Sequence, residues 1–289
     1  MKAILLALII IVNIIYIIRL IIDLTLYKRD IHADPGNSLF LAISSIGIFF
    51  FSAFGISDFA IATTLYRMKK WVEDKKLPGT LNTQCVIPVA VMALTFISVV
   101  KVNTTTLVVC ILFQVIGSYI GPDIVAKLSA TVIRRIVSVG LIIAALFILV
   151  EKFKLFPTGG MANGLSGVKL IIAAICMFIF GILNNIGIGS YPLVMATIYA
   201  LGMNPIAAFP VMMGASAFSV PISSLKIIKY GQYSRKITLF TSIFGVVGVL
   251  VGVFSVKKLD VSMLQYIVIV ILLYSGISAL SHEFKINKT

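Results

Sequence analysis

Acidic side chains are rare in this chain. Of 289 residues only 10 are Asp or Glu, and only 12% carry a charge of either sign. Histidine occurs twice, as His32 and His282, both at the ends of apolar runs, while Glu73, Glu151 and Glu283 all fall in connecting or terminal segments. A buried hydrolase of the His/Glu metal type has no ligand set here, so neither a metal site nor a cofactor is expected. The three cysteines, Cys85, Cys110 and Cys176, lie inside apolar runs, are odd in number and lack CxxC spacing; they read as packing residues. No buried nucleophile and base share a suitable spacing, and there is no Walker-type phosphate loop. Enzymatic chemistry and ATP-driven work within this chain are therefore not expected.

What the chain has in abundance is hydrocarbon. Sixty per cent of residues are hydrophobic and the mean hydropathy is +1.12, far above the soluble range. Apolar runs occupy roughly 3–18, 38–66, 84–100, 104–125, 133–150, 168–201, 205–224, 237–256 and 262–281. Most suit a hydrocarbon layer about 30 Å thick and leave no room for a soluble domain. The expected fold is an all-α integral membrane bundle in a cell membrane, with the bilayer as its partner. The run after Lys2 is followed by Arg19, Asp23 and Tyr27 rather than a small-residue cleavage site, so an uncleaved helix is expected.

The 24 Lys and Arg residues give a net charge of +14. They fall between the apolar runs and not beside stacking aromatics, which argues for membrane orientation and against nucleic acid. Two runs are too long for one span and are interrupted, at Gly55-Ile-Ser57-Asp58 and at Gly187-Ile-Gly189-Ser190. Glycine destabilises a helix interior, so a break is expected at each.

The breaks overlay at an offset of 132, Asn82 and Pro88 overlay Asn204 and Pro210 at 122, and Phe113, Gly117, Gly121 and Lys127 overlay Phe244, Gly248, Gly252 and Lys258 at 131. The chain reads as a duplication: an N-terminal helix and connection over 1–35, repeat unit one over 36–155 and repeat unit two over 165–284, forming one membrane domain. If each broken helix enters and leaves on one face, the units are inverted, with seven crossing helices and two hairpins. One face then gathers Arg19, Lys28, Arg29, the five basic residues of 67–76, Lys127, Arg134, Arg135, the four of 226–236, Lys285 and Lys288, which makes 17 of the 24. That imbalance fits the positive-inside bias, with the N-terminus outside.

A helix that begins in mid-membrane leaves its first N–H groups without intrahelical partners. Two such starts would offer donors and positive dipole ends to a small anion, so Gly55, Ser57, Asp58, Phe59, Gly187, Gly189, Ser190 and Tyr191 are candidate substrate-binding residues, joined by Asn184 and Asn185 as polar neighbours. Ser190 is placed as an N-cap, with Pro192 in the first helical turn. Asp58, the acidic residue deepest in an apolar run, either binds a coupling proton or Na⁺ or caps its half-helix. Pro88 and Pro210 are expected to kink their helices beside the breaks. Gly117-xxx-Gly121 and Gly248-xxx-Gly252 read as close-packing faces, Gln114 as an interhelical hydrogen bond, Asp123 as structural, and Ser216 and Ser219 as weak candidates.

With Gly187-Ile-Gly189-Ser190-Tyr-Pro192, Asn204-Pro205-Ile-Ala-Ala208, the basic segment Lys226 to Lys236 and Gly248-xxx-Gly252 in this order, the chain resembles the sulfite exporter (TauE/SafE) family of membrane permeases over about residues 38 to 284. The first break departs from that pattern by carrying Asp58 where the family has glycine. The resemblance implies a secondary transporter for sulfite, sulfonates or thiosulfate. The alternative is a membrane-embedded scaffold or interaction protein without a transport path. Import or export and oligomeric state are left open by the sequence.

Overall fold

The computed structural model describes residues 2–99, 102–153 and 161–255. The expected last helix, 262–281, and the end of the second unit at 284 lie outside the described residues, as do Lys101, Lys258, Lys285 and Lys288. Every element among the described residues is a helix: α1 Lys2–Leu26, α2 Lys28–Ala33, α3 Ser38–Ser52, α4 Asp58–Met68, α5 Leu77–Val99, α6 Thr104–Lys127, α7 Ala130–Lys152, α8 Gly167–Ile186, α9 Tyr191–Ala200, α10 Pro205–Tyr230 and α11 Arg235–Ser255. Six of these are long and apolar enough to cross a bilayer, namely α1, α5, α6, α8, α10 and α11. The chain is a multi-pass helical membrane protein.

Both long runs break where glycine interrupts them, between α3 and α4 and between α8 and α9. Gly187 caps α8 with φ +104°, a left-handed conformation that only glycine adopts without strain, and Gly55 takes φ +85° after α3. The arms are unequal. α8 has 20 residues and could cross alone, whereas α9 has 10. The first connection is also shorter than expected, because 77–83 is already helical.

Hydrogen bonds fix which chain segments share an end of the bundle. At one end, the Lys75 ammonium donates to the carbonyls of Ala126 and Leu128, Lys226 pairs with Asp123 at 2.7 Å, and Lys236 donates to the Gly36 carbonyl at 2.6 Å. Trp71, just past α4, lies edge-on to Phe40 near the start of α3, with centroids 5.4 Å apart. This end therefore collects 28–40, 67–79, 123–130 and 226–236. At the other end the Asn103 N–H donates to the Asn163 carbonyl at 2.7 Å, the Asn204 N–H to Ala162 at 2.8 Å, and Lys169, near the start of α8, to the carbonyl of Leu201, just past α9, at 3.0 Å. So α3 begins where α4 ends, α8 begins where α9 ends, and the two events occur at opposite ends. α5 leaves the basic end while α10 arrives there, and α6 arrives while α11 leaves.

The core is held by close helix contact. α6 packs against α8 and α11 against α3, the two most extensive helix pairs in the bundle. A Cβ on Gly117 would overlap the Phe178 carbonyl, one on Gly181 the Gln114 carbonyl, and one on Gly248 the Ile46 carbonyl. Gly252 faces the Ala53 Cβ and the Phe50 carbonyl in the same way. These are the small-residue faces read in the sequence, and they bring backbones together where lipid gives no hydrophobic drive for helix association. The expected hydrogen bond of Gln114 is present, from its Nε2 to Ser219 Oγ at 3.1 Å on α10.

The N-terminal helix is part of the bundle and packs on α10 and α5. Asn13 Nδ2 donates to the Ala217 carbonyl at 3.2 Å and Tyr16 Oη to Thr83 at 2.8 Å. At the basic end, Asp23 is buried against Arg235 Nε at 2.7 Å, and the same guanidinium reaches Asp30 at 3.1 Å. Tyr233 donates to Asp23 at 2.5 Å; burial, then that carboxylate, hold its phenol well above the ordinary value, so it stays a donor.

Gly248→Leu should force α11 off α3. The expected loss is about 1–3 kcal/mol of stability, because the neighbour is backbone and cannot change rotamer. Thermal unfolding in detergent measures it, and Gly47→Leu, at a position with no neighbour within 4 Å of a built Cβ, should unfold like the wild type.

Candidate functional site

α4 and α9 start beside one another. Gly189 lies so close to Ser57 that an added Cβ would overlap the Ser57 hydroxyl and sit 3.2 Å from Phe59 Cβ. Around this contact is a small enclosed cavity lined by Ser57, Asp58, Phe59, Asn184, Gly189, Ser190 and Tyr191, seven of the candidates read from the sequence. Its remaining wall comes from Cys85 and Val89 on α5 and from Ser216 and Val220 on α10.

Three polar atoms of these side chains are buried without a hydrogen-bond partner: Asp58 Oδ2, Ser190 Oγ and Tyr191 Oη. Asp58 is 3% exposed, Ser190 1% and Tyr191 4%. Leaving such a group unpaired costs about 1–3 kcal/mol; other buried atoms, such as Thr63 Oγ1, Gln84 Nε2 and Gln114 Oε1, also lack a partner, and what marks these three is that they line one cavity, where a polar occupant could meet them together. Among the described residues no Lys, Arg or His lines the cavity. What the wall offers is hydroxyls, a thiol, one carboxyl and two helix starts whose first N–H groups have no intrahelical acceptor.

The second break is braced by a reciprocal amide pair. Asn184 Nδ2 donates to Asn82 Oδ1 at 3.0 Å, and Asn82 Nδ2 donates to the Asn184 carbonyl at 3.1 Å and to the Pro78 carbonyl at 2.9 Å. Asn184 Oδ1 then accepts the Ser190 N–H at 3.2 Å, across the unwound residues. Asn184 is thus both a cavity wall and the strut that holds the α9 start in place.

Several expectations require correction. Ser190 does not cap α9 through its side chain: its hydroxyl is unpartnered, and its carbonyl accepts the Val194 N–H at 2.9 Å. The residue preceding α4 is Ser57, which makes no side-chain cap bond; Asp58 is the first residue of the helix itself, and the backbone N–H groups of Asp58 and Phe59 face its carboxyl, as the capping alternative has it. Gly55 faces Phe209 and Met195, and Gly187 faces Val137 and Leu81, so neither lines the cavity. Asn185 turns the other way, its Nδ2 donating to the carbonyls of Gly181 at 2.9 Å and Ser118 at 3.3 Å. Pro88 and Pro210 are buried inside α5 and α10 and touch the cavity with neither ring; Pro88 packs at Gly245 of α11 instead. Pro192 is the second residue of α9, in the first turn as expected.

Sequence reasoning missed Asn82, Cys85, Val89 and Val220 as site residues. A usable signal was the four-residue spacing of Cys85 with Val89 and of Ser216 with Val220, which puts each pair on one helix face. No protein-family model matches the chain, and neither does any curated protein or solved structure.

Asn184→Ala removes the reciprocal amide bond and leaves Asn82 Oδ1 and the Ser190 N–H unpaired. A loss of about 1–3 kcal/mol is expected, read as a lower unfolding temperature, and Asn82→Ala combined with Asn184→Ala should lose less than the sum of the two single variants.

Proposed function

We propose that the chain is a secondary permease of the cell membrane for a small anion of the sulfur oxyanion class, such as sulfite, a sulfonate or thiosulfate, bound between the starts of α4 and α9. The observation that carries the reading is the set of three unpartnered polar atoms around one cavity at two helix starts. Hydroxyl and backbone N–H donors at positive dipole ends suit an oxyanion, and the absence of a fixed cation suits release as well as binding.

Helix length supports a midplane position. α4 has 11 residues and α9 has 10, each beginning at the cavity and ending at opposite ends of the bundle. At 1.5 Å per residue they add to about 31 Å, close to the thickness of a hydrocarbon core. Duplication and inversion are supported in the same way. α6 and α11 begin 131 residues apart (235 − 104), the cavity pairs Cys85/Val89 and Ser216/Val220 are also 131 apart (216 − 85), and the matched helices run in opposite directions. We read α3–α4 and α8–α9 as the two re-entrant hairpins of inverted repeats, related by one offset near 131 throughout. The prolines at 88 and 210 then have no common place.

In this reading Asp58 is the coupling group. An ionised carboxyl in so small a cavity repels an anion, so substrate binds when Asp58 holds a proton or a cation such as Na⁺, and the two travel together. The cavity has room for about one water, so in this reading its wall moves to admit the substrate.

The orientation is tested by labelling introduced cysteines in sealed vesicles. Lys70→Cys and Gln232→Cys should react from the same face; reaction from opposite faces would sink the inverted arrangement. Function is tested by sulfite flux into proteoliposomes. Wild type should carry sulfite, Gly189→Leu should fold but carry none, and Asp58→Asn should lose dependence on the H⁺ or Na⁺ gradient while keeping its fold. Gradient-dependent flux at the wild-type rate in Asp58→Asn would remove the coupling role, and unchanged sulfite affinity in Gly189→Leu would remove the site.

A further inference from the structure

A second void lies on the basic side of the tip cavity. It is a crevice between the start of α5, the last turns of α6 and α10, and the end of α8, with about 340 Å³ of space between atoms, part of it open to solvent. Lys75 and Gln232 stand at its mouth, Pro122, Ala126 and Ile227 form its walls, and Asn185 is its floor. Asn185 is 1% exposed and its Oδ1 has no hydrogen-bond partner.

The floor of the crevice and the wall of the tip cavity are consecutive residues. Asn184 lines one void and Asn185 the other, so both voids abut the last turn of α8, on different faces of it. That turn ends at Gly187 in its left-handed cap. Among the described residues Lys75 is the only cation lining the crevice, and its hydrogen bonds run to the carbonyls of Ala126 and Leu128. Carbonyls carry no formal charge, so the ammonium keeps its full positive charge at the mouth. Lys226 nearby is neutralised by Asp123.

We propose that this crevice is the passage through which the tip cavity exchanges its solute with the basic face, that Asn184 to Gly187 is the gate, and that Lys75 draws anions to the mouth. The proposal rests on the anion-permease reading for its solute, but the passage has its own test. The crevice and the tip cavity are separate voids, so passage requires the last turn of α8 to move.

Cys85 is a native reporter, since it lines the tip cavity. In a chain carrying Cys110→Ala and Cys176→Ala, a membrane-impermeant methanethiosulfonate bearing a sulfonate should modify Cys85 when applied to the basic face. Ala126→Trp, at an exposed wall position, should block that reaction and leave any reaction from the opposite face unchanged. Lys75→Gln should slow the sulfonate reagent and speed its trimethylammonium counterpart by about threefold each at low ionic strength, with both effects shrinking in high salt. The passage is overturned if Cys85 does not react from the basic face while Gln232→Cys does, or if Ala126→Trp leaves the basic-face rate unaltered. Should the tryptophan variant fail to fold, an unchanged ratio of the two reagents in Lys75→Gln would by itself remove the role of Lys75. Sulfite flux decides the substrate separately: modification by this passage in a protein that carries no sulfite supports the passage and removes only the solute.

Discussion

Backbone touching backbone is the constraint on which the rest of this bundle depends. Lipid tails are as apolar as leucine, so helices gain nothing by merely hiding side chains from them, and association has to come from close packing and hydrogen bonds. Here the closest approaches are made by glycine: Gly117 and Gly181 where α6 meets α8, and Gly248 and Gly252 where α11 meets α3. In each pair, the glycine-faced helix clasps the long arm that leads into a chain break. The arms α3 and α8 are thereby held up to their last turns, and unwound backbone can then exist at the breaks because protein covers most of it: Ile56, Ser57, Gly187 and Ser190 are buried, and Phe54, Gly55, Ile188 and Gly189 half-buried.

Polar groups inside this frame mostly pair with one another: Asn82 with Asn184, Gln114 Nε2 with Ser219, Thr83 with Thr238 at 2.7 Å, and Asp23 with Arg235 and Tyr233, although single atoms such as Thr63 Oγ1, Gln84 Nε2 and Gln114 Oε1 have no partner. Around the tip cavity three unpaired atoms line one void. An apolar cavity of this size could have been made from Ala and Val at no desolvation penalty, whereas a carboxyl and two hydroxyls left unpaired raise the energy of the empty state. In the proposed permease that penalty is recovered when a polar occupant arrives, which favours binding, and it is the lack of a fixed cation that keeps the binding from being too tight for release. A site that supplied a buried lysine instead would hold an anion in a low-dielectric interior with far greater strength.

Much of the fold was legible because a bilayer leaves few choices. The run lengths gave the helices, and the glycines at 55 and 187 gave the breaks. The small-residue spacing at Gly117, Gly121, Gly248 and Gly252 gave the contact faces. Seven of ten candidate binding residues meet at one cavity, since a helix break places everything next to it at one depth. What the sequence could not disclose was direction around a helix axis. Asn184 and Asn185 are adjacent and chemically identical, yet about 100° of helical turn sends one to the cavity and the other to the crevice. Gly55 and Gly187 proved to be conformational, supplying positive φ and not contacts. The proline overlay misled because identical residue types at matching distances from an Asn are weak evidence of equivalence; the cavity walls align by 131 residues, and under that offset Pro88 falls opposite Ser219.

The unequal arms say how such a molecule can open. α8 runs 20 residues and overshoots the start of α9, so its last turn reaches past the tip cavity toward the basic end; α3, with 15 residues against 11 in α4, overshoots in the other direction. Each overshoot therefore stands between the cavity and one end of the bundle. A glycine in a left-handed conformation follows each: Gly187 closes α8, and Gly55 sits three residues beyond α3. Moving one overshoot disturbs the cavity wall on one side and keeps the contacts at Phe178, Gly181 and Ile46, which lie further back along the arms, while the contacts of Gly121 with Asn185 and of Gly252 with Ala53 and Phe50, at the arm ends, have to give. In the proposed permease the two ends can then open in turn, since each gate is a few residues at the end of a helix whose remainder is locked. The void floored by Asn185 shows that the basic side already has space on the far side of its gate.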